Sequence, residues 1–129
     1  GAKPKAVFQG VDYLAVYDSY EDVLSIDPEH YALQKLDRRG VIVTSLAPPE
    51  SPADFVSRFF CPKFGVPEDP VCGSAHCMLV PYWASEINKS NFLAHQVSKR
   101  GGEVYCKLID DRVELKGKAV RYLKGQINF

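Results

Sequence analysis

The chain has 129 residues, 46% of them hydrophobic, and its sixteen basic residues are balanced by sixteen acidic ones. That length suits one domain with a respectable core. A chain without net charge carries no electrostatic footprint for nucleic acid, and its longest basic runs, Arg38-Arg39 and Lys99-Arg100, are expected on solvated surface.

Residues 1–4 are expected to be a short frayed start, and no signal peptide, membrane span or low-complexity tail is recognised. Residues 11–17 are rich in aromatic and β-branched side chains and predict a buried strand. Ser19 is placed to cap a short helix through Leu24, with Glu21 and Asp22 in its first turn. Residues 28–36 predict a second helix, with Asp27 as cap and Pro28 in its first position. Gly40 ends the turn that follows, and residues 41–46 form the clearest strand by composition.

The Pro48-Pro49-Glu50-Ser51-Pro52 stretch cannot join a ladder and is a loop rather than a domain linker. Residues 54–61 predict a strand with large side chains on both faces, so it should be covered on both sides. Its Arg58 needs a carboxylate or a path to water. Beyond residue 90, residues 94–98, a Gly101-Gly102 turn, residues 103–109, an Asp110-Asp111 turn, residues 112–116 and residues 118–129 predict an antiparallel meander.

Between the two sets of strands lies the segment that organises the rest. Residues 70–85 carry no formal charge, which a solvent-facing helix would not sustain, and they predict a loop feeding a buried helix that ends near residues 88–90. Pro81 should kink or loosen it. At a helix start the backbone N–H groups lack partners and the dipole adds positive charge, so Gly73, Ser74 and Ala75 are candidates to cradle a carboxylate or phosphate. Asp69, a few residues upstream, is a candidate proton shuttle. The same residues would serve equally well to close a turn and cap the helix. One buried helix with many hairpin-connected strands implies an α+β domain whose mostly antiparallel sheet curls around the helix starting near Ser74.

The four cysteines, Cys61, Cys72, Cys77 and Cys106, have no spacing that suggests a disulfide or a zinc site, which points to a reduced, cytoplasmic setting. Cys61, Cys77 and Cys106 are expected to be small core residues. Cys72 immediately precedes the Gly73-Ser74 turn, where it is either a thiol poised for reaction or a buried turn residue. His76, the histidine nearest this corner, is expected in a satisfied structural role rather than in catalysis or metal binding.

The run Glu68-Asp69-Pro70-Val71-Cys72-Gly73-Ser74-Ala75-His76 resembles the PhzF-like, or phenazine-biosynthesis-like, family. So do Pro81-Tyr82-Trp83, residues 54–60, residues 96–102 and Gly117-Lys118-Ala119-Val120. The resemblance covers nearly the whole chain. It implies the diaminopimelate-epimerase-like fold, two pseudo-symmetric lobes each wrapped around a central helix, with the site between the helix starts. Residues 1–129 resemble the C-terminal lobe alone, as a single domain.

By resemblance, the activity is a cofactor-independent proton shift on a small carboxylate substrate, with no metal. Asp69 and Ser74 take catalytic positions, with Cys72 beside them, and Gly73, Ser74, Ala75 and His76 are the substrate-contacting candidates. The family's principal acid/base glutamate and a histidine belong to the N-terminal lobe, and their motifs have no counterpart here. The expected partner is therefore a second copy of the chain or a complementary N-terminal lobe. A binding module that keeps the anion cradle without catalysis is the competing reading.

Overall fold

The computed structural model describes residues 2–129. Its strands are β1 (Ala6–Gln9), β2 (Tyr13–Val16), β3 (Val41–Leu46), β4 (Phe55–Cys61), β5 (Val66–Asp69), β6 (Asn91–Gln96), β7 (Gly102–Ile109) and β8 (Arg112–Lys116); its α-helices are α1 (Tyr20–Ser25), α2 (His30–Gln34) and α3 (Gly73–Ile87). Seven strands run in the order β1-β2-β3-β4-β6-β7-β8, and β5 pairs with β4 beside that path. The β2–β3 and β4–β6 pairings are parallel and the other five antiparallel.

β4 divides the core because successive side chains of a strand point to opposite faces. Phe55, Phe59 and Cys61 join the larger cluster around Leu79, Val80 and Trp83 of α3. Val56 and Phe60 join the smaller one, with Val23 of α1 and Val43 of β3. Each fully buried side chain such as Phe55 or Leu79 contributes about 1.5–3 kcal/mol. A row of small or polar side chains crosses the inner face, Thr44 opposite Ser57 and Ser57 opposite Gln96. Trp83 Nε1 donates to Thr44 Oγ1 at 3.0 Å, fixing α3 on that row.

Arg58 is satisfied as its setting demands. It donates to both carboxylate oxygens of Glu68 at 2.8 and 3.1 Å, and to the carbonyls of Val23, Leu24 and Ile26. One guanidinium thus closes the C-terminal end of α1, which has no basic residue of its own in its last turn.

Several expectations need correction. β1, just after the expected frayed start at residues 1–4, was not among the expected strands, and β2 is shorter than the expected strand at residues 11–17. α2 is shorter than expected and is capped by Glu29, which accepts from the Tyr31 amide, instead of by Asp27. β6 begins at Asn91, ahead of the expected residues 94–98, and β5, just before the loop into α3, was not among the expected strands. α3 is continuous through Pro81, which lies on an exposed stripe with Gly73, Cys77 and Ser85. Cys77 is therefore exposed rather than a core residue. Residues 117–129 form no strand and are exposed throughout.

Candidate functional site at the start of helix α3

Asp69 closes β5, and residues 70–72 turn the chain into α3. That turn is held from the neighbouring strand. The fully buried Gln96 accepts from the Cys72 amide at 2.9 Å and donates to the Asp69 carbonyl at 2.6 Å. Ser98 Oγ donates to the Pro70 carbonyl at 2.8 Å and accepts from the Gly101 amide at 3.1 Å. Asp69 Oδ1 accepts from the Val71 amide at 3.1 Å, and its Oδ2 has no hydrogen-bond partner among the described residues.

No side chain caps α3. The amides of the first turn therefore have no side-chain partner, and the helix dipole adds partial positive charge there. Ser74 Oγ instead accepts from Arg39 at 2.9 Å and lies 3.2 Å from Cys72 Sγ. Arg39 also donates through Nε to Asp12 Oδ1 at 2.9 Å, its second branch pairing with Oδ2. Asp12 is fully buried while a third of Arg39 remains exposed, so the guanidinium joins a buried anion to the outside of the helix start.

This corrects the expectation that Arg38-Arg39 is solvated surface. The missed signal is Asp12 itself, an acid in an otherwise apolar run, which demands a cation wherever the fold can supply one.

On the other side of Gly73 is a cavity of about 500 Å³ that includes Val71, Arg100, Leu115, Lys116 and Lys118. Neither Asp69 nor Ser74 lines it. A side-chain carbon added at Gly73 would meet nothing closer than Leu115 Cδ1 at 3.6 Å, so the approach to the helix start is open. Gly73 and Ser74 are exposed, whereas Ala75 is 1% exposed, so the open approach is at the first two residues of the helix.

His76 faces inward. Its Nδ1–H donates to the Cys72 carbonyl at 2.7 Å, its ring lies 6.3 Å from that of Phe55, and its buried Nε2 has no partner among the described residues. Burial pulls its pKa below the ordinary value, more than the Cys72 carbonyl raises it. Cys72 is buried, and Cys61 lies close enough to Asp69 and Cys72 that their charges add to burial in raising its thiol pKa. Burial pushes the Cys106 thiol up to about 12. All four cysteines are free, and no helix is long and apolar enough to cross a membrane among the described residues.

The family described as "Phenazine biosynthesis-like protein" matches residues 3–125. The chain belongs to that family. A relative from Pseudomonas aeruginosa, described as an uncharacterized isomerase, is 48% identical over 128 residues, covering 98% of this chain and 48% of the relative. Another so described, from Halalkalibacterium halodurans, is 48% identical over 116 residues, covering 90% of this chain and 43% of the relative. The crystal structure of a phenazine biosynthesis PhzC/PhzF protein from Clostridium difficile superposes with a TM-score of 0.87 at 39% identity, covering all of this chain and 49% of that one. The chain thus spans about half the length of these relatives, and it shares its fold with the matching half of the Clostridium difficile structure.

Proposed function

We propose that the chain is the carboxylate-binding half of a cofactor-independent isomerase that moves a proton on a small carboxylate-bearing metabolite. The observation that carries this reading is the uncapped first turn of α3, open to approach at Gly73, in a family whose relatives are described as isomerases. A carboxylate there accepts from the exposed first-turn amides of Gly73 and Ser74, with the buried Ala75 amide behind them, each charge-assisted bond contributing about 1.5–3 kcal/mol.

Asp69 then takes or returns the proton through its free Oδ2. Because Arg39 donates to Ser74 Oγ, the serine's own proton is left to give, either to the substrate or to the Cys72 sulfur. Cys72 is the third member of this set, buried in this lobe and touching Ser74. His76, turned into the core, acts by holding the Cys72 carbonyl rather than by meeting substrate.

The cavity beside Gly73 is lined by neither Asp69 nor Ser74, so within the described residues no side chain faces Asp69 Oδ2 to complete the proton path. A second lobe supplies that side chain, the acid or base that gives the substrate a proton when Asp69 takes one and takes one when Asp69 gives it. The test is deuterium wash-in: the chain, assembled with such a lobe, is incubated in D2O with a panel of small amino and hydroxy acids. Solvent deuterium should appear at the α-carbon of at least one of them. Asp69→Asn should lower the rate by about 10²-fold or more without unfolding the protein. Carboxylate binding with no deuterium incorporated into any compound would leave a binding module and contradict the proposal.

A further inference from the structure

Two buried side-chain atoms between α3 and the sheet, Ser57 Oγ on β4 and His76 Nε2 on the helix, have no hydrogen-bond partner among the described residues. Their residues are 1% and 0% exposed. A polar atom sealed from solvent in this way costs the fold unless something bonds it.

The two face one another. Gln96, Ser57 and Thr44 are neighbours across β6, β4 and β3. The outer members of that row hold α3 at separate points, Gln96 at the Cys72 amide and Thr44 at Trp83 Nε1. His76 stands one turn, about 6 Å, along the helix from Cys72, and Ser57 stands one strand, about 5 Å, from Gln96 toward Thr44. The imidazole therefore comes down on the middle of the row. Its 6.3 Å approach to the ring of Phe55, two residues before Ser57 on the same face of β4, agrees with that placement.

Their chemistry is complementary as well. The Cys72 carbonyl can only accept, so Nδ1 carries the proton and Nε2 of the neutral ring is an acceptor. Burial favours that neutral form. Ser57 has a hydroxyl proton to give and no acceptor bonded to it. Gln96 Oε1, which accepts from the Cys72 amide, has a second lone pair.

We propose that one buried water joins these three residues, accepting from Ser57 Oγ and donating to His76 Nε2 and Gln96 Oε1. A water with three polar partners is of the kind that protein interiors retain. Two of the three partners reach the turn that carries the site: His76 holds the Cys72 carbonyl, and Gln96 holds the Cys72 amide and the Asp69 carbonyl. Ser57 is thereby a positioning residue for Asp69 and the first turn of α3, though it touches no substrate. That consequence rests on the carboxylate-binding reading above; the water itself does not.

The test is NMR on the 129-residue chain at neutral pH. Long-range nitrogen–proton spectra of His76 should show the proton on Nδ1, and the ring hydrogen between the two nitrogens should give a cross-peak to a long-lived water. Ser57→Val replaces the hydroxyl with methyl groups that take up the water's space. In that variant the cross-peak should vanish and Nε2 should move to the position of an unbonded ring nitrogen. The affinity of the Gly73 and Ser74 amides for acetate should fall about tenfold.

A proton on Nε2, or no long-lived water at the ring in the parent chain, would overturn the proposal whatever the variant does. Loss of the water with acetate affinity kept within about twofold would overturn the positioning role of Ser57. A parent chain that holds the water but binds no acetate at the first turn would contradict the function proposed above and leave the water site standing.

Discussion

Arg39 and Ser74 stand 35 residues apart in sequence and 2.9 Å apart in space, the guanidinium donating to the hydroxyl while its other contacts hold the buried Asp12. The two partners of the ion pair are not equally exposed, and their replacements should not cost the same. Arg39→Ala strands a carboxylate with no access to water and should destabilise the chain by about 3–5 kcal/mol. Asp12→Ala leaves a guanidinium that is already one-third exposed and should cost about half as much or less. Urea denaturation at neutral pH reads both; an equal or larger loss for Asp12→Ala would show that Arg39 is not what Asp12 depends on.

Two glycines make a paired test of what is filled and what is open. An added carbon at Gly40 would run into the Phe60 carbonyl and lie 2.8 Å from the Phe59 ring. Gly40→Ala should destabilise by about 1–3 kcal/mol, since backbone and a packed ring must both move. Gly73→Ala, which meets only Leu115 at van der Waals distance, should stay within about 0.5 kcal/mol of the parent. Thermal and urea unfolding check the pair, and a large loss at Gly73 would mean that the helix start is packed rather than open.

His76 gives the fold an acid sensitivity with a defined sign. Burial lowers its pKa in the folded state, so near and below the ordinary histidine value of about 6.5 the unfolded chain binds the proton better. Its contribution is therefore complete above about pH 6.5 and is lost as pH falls toward the lowered folded-state value. In that window the slope has an upper limit of about 1.4 kcal/mol per pH unit. His76→Phe should cost about 1 kcal/mol at pH 7.5, through the lost bond to the Cys72 carbonyl, and should flatten this part of the slope. A variant with the parent's slope would assign the sensitivity elsewhere.

The charge-free run from Pro70 to Ser85 marked α3, and the Gly-Ser pair marked its start, because both features are local. Arg58 likewise announced its need for a partner, though not that α1 would share it. The Asp12–Arg39 pair was not legible from spacing, since its members lie 27 residues apart and meet only when β2 and β3 pair in parallel. Gln96 was invisible for the same reason: its amide holds a turn 24 to 27 residues upstream. Residues 118–129 have strand composition but no ladder in this chain, because hydrogen-bond partners are not encoded in the strand that needs them.

The open stripe of α3 can be probed through its cysteine. Cys77 is exposed, whereas Cys61, Cys72 and Cys106 are buried, the Cys106 thiol with its pKa pushed up to about 12. Brief treatment of the native chain with iodoacetamide at pH 8 should give one fast adduct, at Cys77, at least about tenfold faster than the other three. Peptide mass spectrometry identifies the position. Faster labelling at Cys106 or Cys61 would mean that the inner face of the sheet opens.

The central claim is that the bare amides at the start of α3 receive a carboxylate. The most direct measurement is an amide nitrogen–proton NMR titration of the chain with small amino and hydroxy acids. The account predicts saturable shifts that are largest at Gly73, Ser74 and Ala75 and are lost in a folded Gly73→Val variant. Saturable shifts centred elsewhere, or first-turn amides unmoved by every carboxylate, would contradict it.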